Sequence, residues 1–163
     1  MKLDIPFYSQ HDSNVPEEWR HRACGVVSLR MALESKTGKV FEPKILIEKG
    51  VEEGAYIQGV GWKHDGLLRL ANENGCEAYR KEFSDSAEGI EYLKQVFDKG
   101  EIPIVSVRFV DSKDSHLITL CGYTDEGFFY NDSAKMNETD GKGAFIKTEE
   151  FVQIWRKLAI FVG

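Results

Sequence analysis

Arg22-Ala23-Cys24-Gly25-Val26-Val27-Ser28-Leu29-Arg30-Met31-Ala32-Leu33 is the stretch from which the rest of the chain is read. Val26, Val27, Arg30 and Met31 recur at helical spacing and Leu29 repeats as Leu33, so the pattern predicts an amphipathic helix with Cys24 in its first turn. A thiol there meets the positive end of the helix dipole and backbone N–H groups that lack an acceptor within the helix. Both favour thiolate over thiol, which makes Cys24 a candidate nucleophile near neutral pH. Gly25 beside it is expected to let a substrate backbone approach without meeting a Cβ. The plainer alternative is a small buried thiol at a helix start, since free cysteine is among the most buried residue types.

Outward from this helix, the chain before it is an arm and a loop. Leu3, Ile5 and Phe7 alternate around Pro6, which predicts an edge strand or extended arm. Gln10 follows, and the polar run from His11 to Arg22 reads as the loop that delivers Cys24. The helix is expected to run to Ser35 and stop before Gly38. Beyond it, Pro43 marks a possible helix start. Five glycines between residues 50 and 66, with Tyr56 and Trp62 among them, suggest either one wall of a binding cleft or a plain connecting loop. Asp65 is expected to cap a helix through Glu73, and Cys76 to Tyr79 to form a short strand. Asp85 and Glu88 make a capping box for a helix over 86–98.

From residue 102 the period changes to two. Strands are predicted over 102–109, 116–123 and 127–131, the last two joined by a hairpin turn at Thr124-Asp125-Glu126-Gly127. Thr148 is expected to cap a helix over 149–157, followed by a closing strand from Leu158 to Val162. Helices first and an antiparallel sheet after them indicate an α+β fold. The chain of 163 residues is read as one domain, 1–163, helical over about 23–99 and sheet over about 100–163.

Composition narrows the function. A net charge of −6 with no basic cluster along the chain argues against nucleic acid as a partner. Cys24, Cys76 and Cys121 are widely spaced and odd in number, which fits neither a disulfide framework nor a zinc site. There is no apolar run long enough for a signal peptide or a transmembrane segment, so the sequence as it stands is expected to be cytoplasmic, or extracellular if a leader has been removed.

His116 opens one strand and Asp132 ends its hairpin partner. If the turn pairs Tyr123 with Gly127, Asp132 lies opposite Ile118, on the same face as His116 and diagonal to it. An even-numbered loop breaks that alignment. A carboxylate beside an imidazole fixes its tautomer and stabilises the imidazolium, which in turn keeps a nearby thiol ionised. Asp132 also has an ordinary alternative in Asn131-Asp132-Ser133 as turn chemistry.

These residues carry a family resemblance. Tyr8-Ser9-Gln10, Ala23-Cys24-Gly25, Ser115-His116 through Gly122-Tyr123 and Tyr130-Asn131-Asp132 resemble, in order, the C39-like branch of the papain-like cysteine peptidases. The likeness extends to the Phe151 and Trp155 segment, so it spans nearly the whole chain. It implies a papain-like fold, a helical lobe and an antiparallel sheet lobe with the cleft between them. It also implies Cys24 as nucleophile, His116 as general base, Asp132 as its orienter and Gln10 as an oxyanion-hole donor. Three positions depart from the family pattern: Val26 for a proline, Ser115 for a glycine and Ser133 for the proline that commonly follows the aspartate. None removes a catalytic group.

The expected activity is hydrolysis of a peptide or related amide through a Cys-His-Asp triad, with a peptide or protein substrate and no cofactor or metal. Two alternatives share the same residues: a non-catalytic peptide-binding module and a thiol-dependent acyl or peptidyl transferase. Oligomeric state and cleavage-site preference are not legible in the sequence.

Overall fold

The computed structural model describes residues 1–163. An extended arm leads through a single 3₁₀ turn, Glu17–Trp19, into α1, Cys24–Thr37. Then come α2 (Pro43–Glu52), a two-stranded hairpin of β1 (Tyr56–Ile57) and β2 (Gly61–Trp62), and α3 (His64–Glu73). The remainder runs β3 (Ala78–Glu82), α4 (Ser86–Asp98), β4 (Ile102–Val107), β5 (His116–Tyr123), β6 (Gly127–Asn131), α5 (Glu138–Gly141), β7 (Ala144–Lys147), α6 (Thr148–Ile154) and β8 (Trp155–Val162). Six strands form one antiparallel sheet in the order β3-β8-β4-β5-β6-β7. The architecture is α+β.

The sheet is apolar on both faces, and each face has its own core. Ile102, Ile104, Leu117 and Ile160 face α1, α2 and α3. Val105, Val107, Ile118, Leu120 and Phe161 point the other way, toward α4 and α6. Side chains alternate along a strand, so a strand with helices on both sides reads as a continuous apolar run, as Ile104 to Val107 nearly does. The division into helices before residue 100 and sheet after it is crossed in two places. β3 joins the sheet at its edge beside β8, and α4 packs on the face opposite α1.

α1 is not amphipathic. Every residue from Gly25 to Glu34 is buried, because α2 and α3 cover the side that the sheet does not. Its buried charge is internal: Arg30 Nε lies 2.8 Å from Glu34 Oε2, and the Tyr8 hydroxyl donates to Glu34 Oε1 at 2.6 Å. Gly38, with φ of 70°, takes the left-handed conformation that ends the helix.

Several local expectations shift. Asp85 caps α4 as expected, accepting from the Ala87 and Glu88 N–H groups, but the Glu88 side chain makes no reciprocal bond to the Asp85 N–H, so the capping box is half formed. Asp65, by contrast, lies inside α3, whose N-cap is Lys63 without a side-chain bond. The third strand begins at Ala78 rather than Cys76, because Cys76 N–H is used to close the α3 end on the Ala71 carbonyl. Helix α6 stops at Ile154 and the closing strand starts at Trp155, which pairs with Val107. The Thr148 hydroxyl donates to the Glu126 carbonyl instead of capping that helix.

Candidate active site

The site is assembled from three pieces of chain: the arm, the start of α1, and the β5–β6 hairpin. α1 begins at Cys24, after Ala23 at the N-cap, and the first helical bond is from Val27 N–H to the Ala23 carbonyl. The Cys24 N–H therefore has no acceptor within the helix and lies next to its own thiol. Cys24 is half-buried, whereas Cys76 and Cys121 are buried; all three are free thiols.

Register decides where Asp132 falls. The hairpin turn is even-numbered: Thr124 N–H bonds the Gly127 carbonyl and Tyr123 pairs with Phe128, not Gly127. A β-bulge between Leu120 and Gly122 absorbs one residue, so that Leu120 pairs with Tyr130 and Thr119 with Asn131. The next step places Asp132 opposite Ile118, diagonal to His116. The expected placement thus survives through a different turn and a compensating bulge. His116 Nε2 lies 2.7 Å from Asp132 Oδ1.

The electrostatics follow from that bond. Burial penalises the Asp132 carboxylate, but the His116 hydrogen bond and charge, with the Ala134 N–H at 3.0 Å, hold its pKa below the ordinary value. An ionised carboxylate only accepts, so Nε2 carries the proton and Nδ1 is the nitrogen left for the thiol. Burial likewise opposes charge on both Cys24 and His116. Their mutual hydrogen bond and attraction outweigh it, aided by Asp132 on the histidine and by the Leu117 and Gly25 backbone on the sulfur. The thiol is lowered and the imidazole is raised to about 10, the pattern of a thiolate–imidazolium pair.

Gln10 joins them in a cleft of about 450 Å³ that also exposes Tyr130 and Lys135. Its amide is fixed at both ends: Nε2 donates to the Arg20 carbonyl at 2.9 Å, and Oε1 accepts from the Ser133 hydroxyl at 3.0 Å. Nε2 has two hydrogens and spends one on Arg20. The arm itself is tied to the hairpin by Asn131, whose Nδ2 donates to the Ile5 and Pro6 carbonyls, and by Gln10 N–H to the Ser133 carbonyl. Asn131, expected as the last residue of its strand, and Ser133 are fully buried positioning groups to which the sequence assigned no role in the site.

A second half of the cleft, about 550 Å³, opens on the other side of Cys24 and His116 and is walled by the β1–β2 hairpin. The glycine-rich segment is thus a cleft wall. Gly25 serves a purpose other than the expected one, because a Cβ there would lie 3.0 Å from Trp62 Cβ. It admits the indole, whose Nε1 donates to the Arg22 carbonyl at 2.8 Å. His64 is half-buried in this wall, and His21 lines both halves.

A cavity of about 570 Å³ lies elsewhere, under the N-terminal arm between Lys2 and Lys142. Its one thiol, Cys121, is pushed up to about 12 by burial and stays neutral. No group of three or more His, Cys, Asp or Glu side chains is arranged to hold a metal, and no helix is long and apolar enough to cross a membrane.

The chain is similar to known peptidase domains. Residues 2–159 match the family model described as Peptidase_C39 like family. Among solved structures, a putative C39-like peptidase from Bacillus anthracis superposes with a TM-score of 0.71 at 18% identity, covering 100% of this chain and 98% of that one. The peptidase domain of Streptococcus ComA, a bifunctional ABC transporter involved in quorum sensing, gives 0.69 at 20% identity, covering 99% and 97%. A double glycine motif protease from an AMS/PCAT transporter, in complex with its leader peptide, gives 0.65 at 21%, covering 99% and 93%. No curated protein sequence matches the chain. The fold is that of the C39-like, papain-like peptidase domains.

Proposed function

We propose that this chain, which belongs to the Peptidase_C39 like family, hydrolyses a peptide or related amide bond through Cys24, His116 and Asp132. The observation that carries the reading is the 2.7 Å bond from His116 Nε2 to Asp132, which leaves Nδ1 for a thiol whose pKa is itself lowered.

The steps follow from the charges. The Cys24 thiolate attacks the carbonyl carbon, forming a C–S bond and moving the carbonyl electron pair onto oxygen. The Cys24 backbone N–H and the second Nε2 hydrogen of Gln10 stabilise that oxyanion. As the oxyanion collapses the C–N bond breaks, and the His116 imidazolium gives its proton to the leaving amine. Neutral His116 then takes a proton from water, whose oxygen attacks the thioester. The C–S bond breaks and the thiolate–imidazolium pair is restored. That one structural relative is in complex with a leader peptide supports a peptide as the substrate.

The test is Cys24 alkylation by iodoacetamide against pH, with mass spectrometry to identify the modified cysteine. Fast labelling near pH 6 that collapses in His116→Ala is the expected result. Labelling only above about pH 8, alike in both proteins, overturns the catalytic reading and leaves a peptide-binding module. A peptide library then separates hydrolysis from transfer: a new free carboxylate in water alone supports the hydrolase, and product only with an added amine supports the transferase.

A further inference from the structure

The chain has 27 acidic and 21 basic residues, yet the cleft half beside β2 is lined by Arg22, Arg108, Lys113 and Arg156 against one carboxylate, Asp114. None of these four cations is in an ion pair. Two are held in place by neutral partners, which fix the charge without cancelling it. Arg22 stacks over the Trp19 ring at 4.1 Å and donates to the Glu18 carbonyl at 3.0 Å. Arg156 donates to the Ser115 hydroxyl at 2.7 Å, next in sequence to His116. Arg108 and Lys113 are exposed and make no side-chain hydrogen bond within the protein. His64, in the same wall, has its pKa lowered by burial and then by Arg80 and Arg156, so it tends to neutrality and adds no fixed charge.

A concave site walled by protein and lined with one sign of charge concentrates the opposite charge. A guanidinium with free donors also recognises a carboxylate through paired N–H bonds. We infer that this half of the cleft is a subsite for acidic residues, one or more Asp or Glu side chains of a peptide substrate lying between the β1–β2 hairpin and the β4–β5 turn. Ser115 belongs to the subsite as the anchor of Arg156. The inference rests on the peptide-hydrolase reading of the same site.

The experiment is protection of Cys24 from iodoacetamide, a neutral reagent, by two pools of random decapeptides that differ only in carrying two Glu or two Lys. Peptide seated in the cleft slows labelling whether or not it is cleaved. The Glu pool is expected to protect at about tenfold lower concentration than the Lys pool at low salt. The gap should shrink at about 0.5 M salt, where exposed charges are screened. Arg108→Glu with Lys113→Glu should reverse the order. Both side chains are exposed, and Arg156→Gln alone provides a second, milder variant that should narrow the gap. Equal protection by the two pools, or a preference that the charge reversal leaves untouched, overturns the subsite. A charge-indifferent pool that is nevertheless cleaved sinks this inference alone. Slow labelling without cleavage, but with the Glu preference intact, sinks the hydrolase reading alone.

Discussion

His116 Nε2 donates to Asp132 Oδ1 at 2.7 Å, and the same oxygen accepts the Ala134 N–H at 3.0 Å. Asp132 N–H is in turn held by the Gly141 carbonyl. The carboxylate is thus fixed by the segment after β6 independently of the histidine, and its lone pairs dictate which ring nitrogen turns toward Cys24.

That arrangement sets a pH window. The thiol pKa is lowered, so thiolate is present from below its ordinary range upward. His116 is raised to about 10, so imidazolium is present up to about pH 10. Amide hydrolysis needs both, so kcat/KM should fall on the acid side as the thiol protonates and on the basic side near pH 10. In an NMR titration the His116 pKa should drop below about 10 in Cys24→Ala and in Asp132→Asn, since each removes a group that raises it. Asp132→Asn should also reduce turnover by about 10²–10⁴-fold, the scale of a lost general acid–base function. An unchanged His116 titration in both variants contradicts the pairing.

Gln10 should matter only where an oxyanion develops. Gln10→Ala is expected to lower kcat by about 10²–10³-fold, the effect of one lost oxyanion donor. Iodoacetamide labelling should not change, because alkylation creates no oxyanion. Ser133→Ala removes the hydroxyl that pins the Gln10 carbonyl end. It should reduce kcat by about tenfold, the equivalent of one hydrogen bond of about 1–1.5 kcal/mol. A parallel loss of labelling in either variant would point to a damaged fold instead.

The elements with a clean period were legible in sequence. His116–Tyr123 and Gly127–Asn131 have the bounds that alternation and turn residues assign, and α4 starts where its capping box says. What was not legible is long-range. Nothing local in Cys121 announces the bulge that rescues the register of Asp132, because a bulge is settled by which pairs bury well on both faces. The burial of α1 on every side depends on α2 and α3 arriving from later in the chain. The cationic cleft half draws Arg22, Arg108 and Arg156 from three separate segments, so no run of basic residues betrays it.

Gly25 and Trp62 make a packing pair that can be tested directly. Ala at Gly25 gains helix propensity of about 0.5–1 kcal/mol. Its Cβ would lie 3.0–3.2 Å from the Cβ, Cγ and Cδ1 of Trp62, which cannot retreat freely because Gly50 holds the far edge of the ring. Overpacking of about 1–3 kcal/mol should therefore win. Urea denaturation should show Gly25→Ala as net destabilised, and the destabilisation should shrink when it is combined with Trp62→Ala. If Gly25→Ala is as stable as the parent, the ring moves more easily than its contacts imply.

Glu34 sits in a buried ionic network whose loss should cost stability. It faces Arg30 at 2.8 Å, with both side chains 6% exposed, and also accepts the Tyr8 hydroxyl and the Phe41 N–H. Truncating one member of a buried pair strands the other charge, at about 3–5 kcal/mol. Glu34→Ala should lose stability on that scale. Replacing both partners, Arg30→Met with Glu34→Leu, should recover much of it, because no charge is left buried. The double variant still lacks the anchor for Tyr8, two residues before Gln10 on the arm. Stability restored with kcat still depressed would show that the pair also positions the arm. Stability and kcat restored together would confine its role to the core.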